Sequence, residues 1–144
     1  MTREEIFEFI HTNPVFHLAT IDNGKPRVRG MLTYSADESG IVFHTGAMRD
    51  VHRQIELNPN VELCYNDYNA QIQVRVYGEL TQVTDTAFKD EVAAHPSRTF
   101  LTPWRASLTD EEFHRQFIVY RMEKPTAIWW KMSDNFAPKT PVSL

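Results

Sequence analysis

Gly24-Lys25-Pro26-Arg27-Val28-Arg29-Gly30-Met31, followed by Ile41-Val42-Phe43-His44-Thr45-Gly46 and then Arg49-Asp50-Val51-His52-Arg53-Gln54, is the stretch on which the reading of this chain turns. Asn23-Gly24 tolerates the positive φ angles of a tight hairpin turn, so Val15 to Ile21 and Arg27 to Tyr34 read as paired strands. A further turn signal, Asp37-Glu38-Ser39-Gly40, precedes a short strand from Ile41 to Thr45. Thr45-Gly46 then leads into a helix from Met48 to Leu57, whose first turns carry Arg49 and Arg53. Guanidinium forks and the free N–H groups of a helix start both favour a dianion. The stretch therefore points to a phosphorylated small molecule. Without its surroundings the Arg-Val-Arg strand would read as a solvated or ion-paired face, and Arg53 equally as a solvent-facing helix residue.

Strand alternation divides these residues between two faces. Val28, Gly30 and Leu32 share one, and Arg27, Arg29, Met31 and Thr33 share the other. Placing the first set inside a barrel makes the arginines point outward. In a long strand from Gln71 to Thr84, Ile72, Val74 and Val76 alternate with Gln71, Gln73, Arg75 and Tyr77. The second set forms an outward face that suits a subunit interface, a ligand wall or water.

Around this centre the order is mixed with β dominant. Thr2 and Glu5 form a capping-box pattern ahead of Ile6, Phe9 and Ile10, and Asn13-Pro14 stops that helix. Val61 to Tyr65 reads as a strand, and Asp85 caps a helix that closes near His95-Pro96. Ser97 to Ser107 is irregular but rich in large apolar side chains, Phe100, Leu101 and Trp104, so it is expected to pack down over a site or a partner. Thr109 and Glu112 repeat the capping pattern, and Phe117 to Met122 and Thr126 to Met132 read as closing strands. About seven strands exceed what parallel crossovers could connect with these helices. A mainly β, antiparallel barrel with peripheral helices follows, as one domain over residues 1–144.

Composition limits the partners. With 42% hydrophobic residues the chain buries a real core, and its net charge of −4 argues against broad attraction to nucleic acid or anionic membrane, so the arginines act locally. No apolar run approaches the roughly 20 residues of a membrane span, and Met1-Thr2-Arg3-Glu4-Glu5 lacks the order of a signal peptide. The single cysteine, Cys64, agrees with a reducing cytoplasm and reads as a buried small hydrophobe. None of the six histidines pairs with carboxylates or Cys64 at a metal spacing, so no metal site is expected.

In these residues the chain resembles the pyridoxamine 5′-phosphate oxidase-like family of FMN-binding split barrels, in its smaller members. The resemblance rests on His17-Leu18-Ala19-Thr20, the Gly24 to Arg29 hairpin, Phe43-His44-Thr45-Gly46, the Arg49 to Gln54 helix and Asn58-Pro59-Asn60-Val61-Glu62-Leu63. It implies FMN as cofactor, with deazaflavin or haem as the alternatives that related barrels accept. Arg29 matches the strand arginine on the phosphate, and Gly30, Met31 and Leu32 match the backbone along the flavin. His44 and Thr45 match residues at the ring edge and ribityl chain, and Arg49 matches the basic residue of the helix start. Larger oxidases carry a Lys where Val51 stands here. Gln73 matches a glutamine offered by the neighbouring subunit, which implies a homodimer with a shared cofactor cleft. Trp129 or Trp130 matches the last strand's approach to the cofactor, although each tryptophan taken alone reads as a core or interface aromatic. The activity implied is that of an FMN-dependent oxidoreductase on a small molecule, with NAD(P)H a possible donor. A flavin sensor or storage protein without turnover is the competing reading. No counterpart follows Asn135 to the segment with which true pyridoxamine phosphate oxidases hold their substrate, which argues against vitamin B6 oxidation.

Overall fold

The computed structural model describes residues 1–144. Thr2 caps helix α1 (Arg3–Thr12): its Oγ1 accepts the Glu5 amide at 3.2 Å, and the Glu5 carboxylate accepts the Thr2 amide at 2.6 Å. Strands β1 (Val15–Asp22) and β2 (Lys25–Asp37) form the hairpin, turned by Asn23 at φ 51° and Gly24 at φ 76°. Strand β3 (Gly40–Gly46) returns alongside β2, helix α2 (Asp50–Leu57) follows, and β4 (Asn60–Asp67) and β5 (Ile72–Glu79) complete the first half.

The single strand expected from Gln71 to Thr84 is two. It breaks at Leu80, which is buried in the core and whose amide donates to the Pro59 carbonyl at 3.0 Å. Beyond this corner β6 (Thr81–Val83) leaves the neighbours of β5 and pairs with residues 119–121 at the opposite end of the sheet. Helix α3 (Thr86–Ala94) is capped by Asp85. The segment expected to be irregular holds a 3₁₀ turn (Pro96–Leu101) and helix α4 (Thr102–Ala106). After α5 (Asp110–Gln116), with its Thr109–Glu112 capping box, come β7 (Phe117–Met122), β8 (Thr126–Lys131) and β9 (Val142–Ser143).

All nine strands belong to one antiparallel sheet in the order β6-β7-β3-β2-β1-β4-β5-β8-β9. The sheet curls on itself, since a Cβ on Gly78 of β5 would lie 3.0 Å from Met122 Sδ of β7. Phe16, Leu18, Phe43, Leu63, Tyr65, Val74 and Met122 fill the interior, which α1 and α2 close with Ile6, Ile10, Val51 and Ile55. Each such buried side chain contributes roughly 1.5–3 kcal/mol. A second cluster lies outside β3 and β7, where Val92, Ala93 and Phe113 of α3 and α5 cover Val42, Phe117 and Val119. The architecture is therefore mainly β with peripheral helices, consistent with a split barrel. The outer face of β1, β2 and β5 carries no helix, and Val15, Val28 and Tyr77 stand 62%, 68% and 37% exposed there.

Two readings of side-chain direction are corrected. Arg29 pairs across the hairpin with the fully buried Leu18, so the Arg29, Met31 and Thr33 face is the inner one, and Val28 and Gly30 face outward. Alternation separates two faces without saying which is inside. Here the long arginine stem runs along the interior wall and the polar head finds partners at the barrel mouth. Cys64 is half-buried on the outer face beside Asn66, not sealed in the core.

Candidate functional site

The barrel mouth between β2, β3 and the start of α2 holds a groove with two compartments. The first, about 640 Å³, is lined by Arg27, Arg29 and Arg49 together with Asp22 and Asp50. Three arginines against two aspartates leave it with an excess of one positive charge. The second, about 400 Å³, is mainly apolar, lined by Leu32, Phe100, Leu101, Trp104 and Phe117 around His44 and Thr45. Met31, Met48 and Arg49 line both, so the cationic and apolar compartments meet at them.

Arg29 is the best-anchored cation. Its Nη1 donates to Thr20 Oγ1 at 2.7 Å and to the Leu18 carbonyl at 3.2 Å, and its Nη2 donates to Gln54 Oε1 at 2.5 Å. All these partners are neutral. Burial pulls the guanidinium below its usual range, partly opposed by the charge of Asp50. Arg49 is exposed at the N-cap of α2, where no side chain caps the helix. Arg27 and Arg53 instead bind the two oxygens of Asp22, at 3.4 and 3.3 Å. Arg53 thus braces the hairpin turn and does not line the groove.

The apolar compartment contains unmet polar capacity. His44 Nε2 and Thr45 Oγ1 are buried without hydrogen-bond partners. Burial, with the nearby Arg98 charge, lowers the His44 imidazole to about 4, so it is neutral at physiological pH. Phe117 and Phe100 pack around its ring with centroids at 5.1 and 6.2 Å. Phe100, Leu101 and Trp104 of the segment expected to pack down form one wall of this compartment.

Gly30 is exposed on the outer side of β2. Gln73 is not brought to this groove within one chain, because β1 and β4 separate β2 from β5. It lies on the sheet's outer face, where its Nε2 donates to Asn66 Oδ1 at 3.0 Å in a recess of about 270 Å³ shared with Arg75, Ile128, Trp130 and Lys139. The two tryptophans point to opposite faces. Trp130 pairs with Gln73, whereas Trp129 pairs with buried Val74 and packs against the main core. No three His, Cys, Asp or Glu side chains converge in a metal-binding arrangement, and no helix is long and apolar enough to cross a membrane.

Three contributors went unread in the sequence: Gln54, Met48 and Arg98. Gln54 is a buried polar residue on the apolar face of α2, a pattern that signals an internal partner. Arg98, 2% exposed, stands alone between Ser97 and Thr99 with no motif to mark it.

The sequence profile described as pyridoxamine 5′-phosphate oxidase matches residues 2–124. The chain belongs to this family. A pyridoxine/pyridoxamine 5′-phosphate oxidase of Rhodopseudomonas palustris (strain TIE-1) is 33% identical over 88 residues, covering 60% of this chain and 42% of that enzyme. The chain thus spans less than half the length of that relative. Among solved structures, a NimC/NimA family protein from Clostridium acetobutylicum aligns with TM-score 0.75 at 21% identity, over 98% of this chain and 92% of that one. A pyridoxamine 5′-phosphate oxidase-related, FMN-binding protein from Nostoc punctiforme aligns at 0.58 and 16%, over 99% and 96%. A heme-binding protein from Mycobacterium smegmatis aligns at 0.70 and 16%, over 97% and 57%. These structural likenesses establish the shared fold.

Proposed function

We propose that this member of the family binds FMN in the two-compartment groove and acts, as a homodimer, as a flavin-dependent oxidoreductase on a small molecule. The observation that carries the reading is the junction at Met31, Met48 and Arg49 of a cationic compartment with an apolar one. An amphipathic ligand with a dianionic end and a planar apolar end matches that division. Arg29 and Arg49 would hold the phosphate, aided by the uncapped start of α2. His44 and Thr45, whose buried polar atoms lack partners, would meet the ring edge and the ribityl chain. When bound, the flavin supplies two-electron redox chemistry, and the polypeptide binds, orients and shields it.

The uncovered outer face with Val15, Val28 and Tyr77 supports a second copy as partner. Such a copy would bring Gln73, and Trp130 beside it, to a cleft that one chain leaves without them. One observation favours haem as a second reading: the unpartnered, neutral His44 Nε2 is the form of imidazole that ligates iron. Mass spectrometry of the ligand released on denaturation decides between them. FMN supports the first reading, and protoporphyrin with a Soret band in the native protein overturns it. Steady-state oxidation of NAD(P)H then separates an enzyme from a flavin-storing binder.

A further inference from the structure

His17 and Cys64 are far apart in sequence, and the sheet makes them neighbours. They pair directly across the β1–β4 seam. Their side chains share the outer face, because Phe16, Leu18, Leu63 and Tyr65 on either side of them fill the interior. Paired residues of antiparallel strands have Cβ atoms about 4.5–5.5 Å apart. His17 is exposed and Cys64 half-buried. The thiol is also held in place: Asn66 Nδ2 lies 3.6 Å from Cys64 Sγ, and Asn66 Oδ1 accepts Gln73 Nε2 at 3.0 Å. Arg75, paired with Cys64 on the other side, spends its charge on Glu62, with Nε 3.4 Å from Oε1. One chain thus presents an imidazole and a thiol side by side, with no third ligand.

A second copy placed as the shared cleft requires supplies the rest. If Gln73 of each copy serves the groove of the other, a twofold axis relates the two. Gln73 stands on β5, and the cationic compartment begins at β2, with the exposed Val28 in its lining. Strands β1 and β4 lie between them, so an axis that exchanges β5 with β2 also exchanges β4 with β1 and passes through their seam. Its height along the strands is fixed as well. Arg75, Cys64, His17 and Gly30 form one cross-strand row. Gln73 lies two residues from that row on the Asn66 side, and Val28 two residues from it on the opposite side, level with Ala19 and Glu62. An axis through the His17–Cys64 pair therefore carries Gln73 onto the partner's Val28. It also sets His17 beside the partner's Cys64, and Cys64 beside the partner's His17.

We propose that His17 and Cys64 from each of two copies bind one divalent cation of the zinc class on the dimer axis. Two thiolates and two imidazoles are the donor set of a closed tetrahedral zinc site, and the two thiolate charges neutralise the dication. Burial pushes the Cys64 thiol up, opposed by Asn66 and Arg75. Each thiol gives up its proton to become a ligand, so uptake releases two protons per metal. Four protein ligands leave no position open for substrate, and the metal's role is to tie β1 and β4 of both chains together and hold Gln73 over the partner's groove. The position of the axis rests on the shared-cleft reading, whereas neither His17 nor Cys64 lines the cofactor groove.

Full-length protein, reduced and stripped with a chelator, is titrated with Co²⁺ and then with Zn²⁺, while sedimentation follows its mass. One Co²⁺ per two chains is expected, with the d–d bands of a tetrahedral ion and thiolate-to-metal charge transfer, all bleached by Zn²⁺. Cys64→Ser should abolish the charge transfer, and His17→Ala should weaken Co²⁺ binding at least about tenfold. His17→Cys, which restores a metal-binding donor, should keep the uptake and intensify the charge transfer. One Co²⁺ per chain overturns the site on the axis, as does cobalt uptake without charge transfer. A dimer that takes up no cobalt overturns the metal site and leaves the shared cleft and the flavin reading standing. A protein that stays monomeric with and without Co²⁺ removes the shared cleft, and the axis with it.

Discussion

Arg29 Nη2 lies 2.5 Å from Gln54 Oε1, and the same oxygen accepts Thr20 Oγ1 at 2.6 Å, so one amide ties both strands of the hairpin to helix α2. The arrangement fixes a long side chain at the rim of the cationic compartment with its charge unspent. Preorganisation of this kind lowers the entropy lost when a phosphate is clamped.

Arg29 should therefore govern affinity for the phosphate and not for the flavin ring. Charge-assisted hydrogen bonds contribute roughly 1.5–3 kcal/mol each when partly shielded. Arg29→Ala is expected to weaken FMN binding at least about tenfold, the equivalent of 1.4 kcal/mol, and to leave riboflavin affinity within about twofold. Parallel fluorescence titrations with the two flavins measure this. An unchanged FMN dissociation constant in both Arg29→Ala and Arg49→Ala removes the phosphate assignment.

His44 should make stability depend on acid. Its folded-state value of about 4, against an ordinary 6.5, is set first by burial and then by the Arg98 charge. Because the folded state binds this proton less readily than the unfolded state, the contribution is neutral above about pH 6.5 and grows increasingly unfavourable as pH falls towards 4. The full penalty is up to about 3 kcal/mol, reached near and below pH 4. Urea unfolding of wild type and His44→Phe at pH 7.5 and pH 4.5 should show a stability difference that moves in favour of the variant at the lower pH. A difference that does not change with pH contradicts the buried, neutral imidazole.

Gly40 and Gly24 both adopt positive φ, at 120° and 76°, but only Gly40 is enclosed. A Cβ at Gly40 would lie 2.3 Å from the Met122 carbonyl oxygen, whereas one at Gly24 would meet nothing within 4 Å. Gly40→Ala should cost about 3 kcal/mol or more, through backbone strain and the collision of two backbones. Gly24→Asn should cost less than about 1 kcal/mol, since asparagine tolerates the left-handed region. Equal losses on urea unfolding would contradict the β3–β7 packing.

Local signals in the chain carry a good part of this architecture. Asn23-Gly24 makes its hairpin and the Thr2–Glu5 and Thr109–Glu112 boxes cap their helices, because those effects act within a few residues. His44, Thr45 and Arg49 come together for a related reason: they flank the short connection between β3 and α2. What was not legible depends on distant contacts. The corner at Leu80 exists because that side chain is pulled into a core built by other strands, and the inward turn of Arg29 depends on Gln54 in a later helix. Arg98 becomes notable only once its guanidinium is seen to be buried without a carboxylate.

Gln73 supplies the sharpest test of the dimer. Within one chain it faces outward on β5, with two strands between it and β2, so it can serve the Arg29 groove only from another copy. If it does, Arg29→Ala and Gln73→Ala damage opposite walls of the same cleft. A heterodimer of one Arg29→Ala chain and one Gln73→Ala chain then has one doubly damaged cleft and one intact cleft. Each single-variant homodimer has two singly damaged clefts. Flavin titration of the isolated heterodimer should recover about half of the wild-type high-affinity sites, although neither parent has any. Recovery of none means that Gln73 does not reach the partner's cofactor. A sedimentation coefficient of a monomer for the wild-type protein removes the shared cleft altogether.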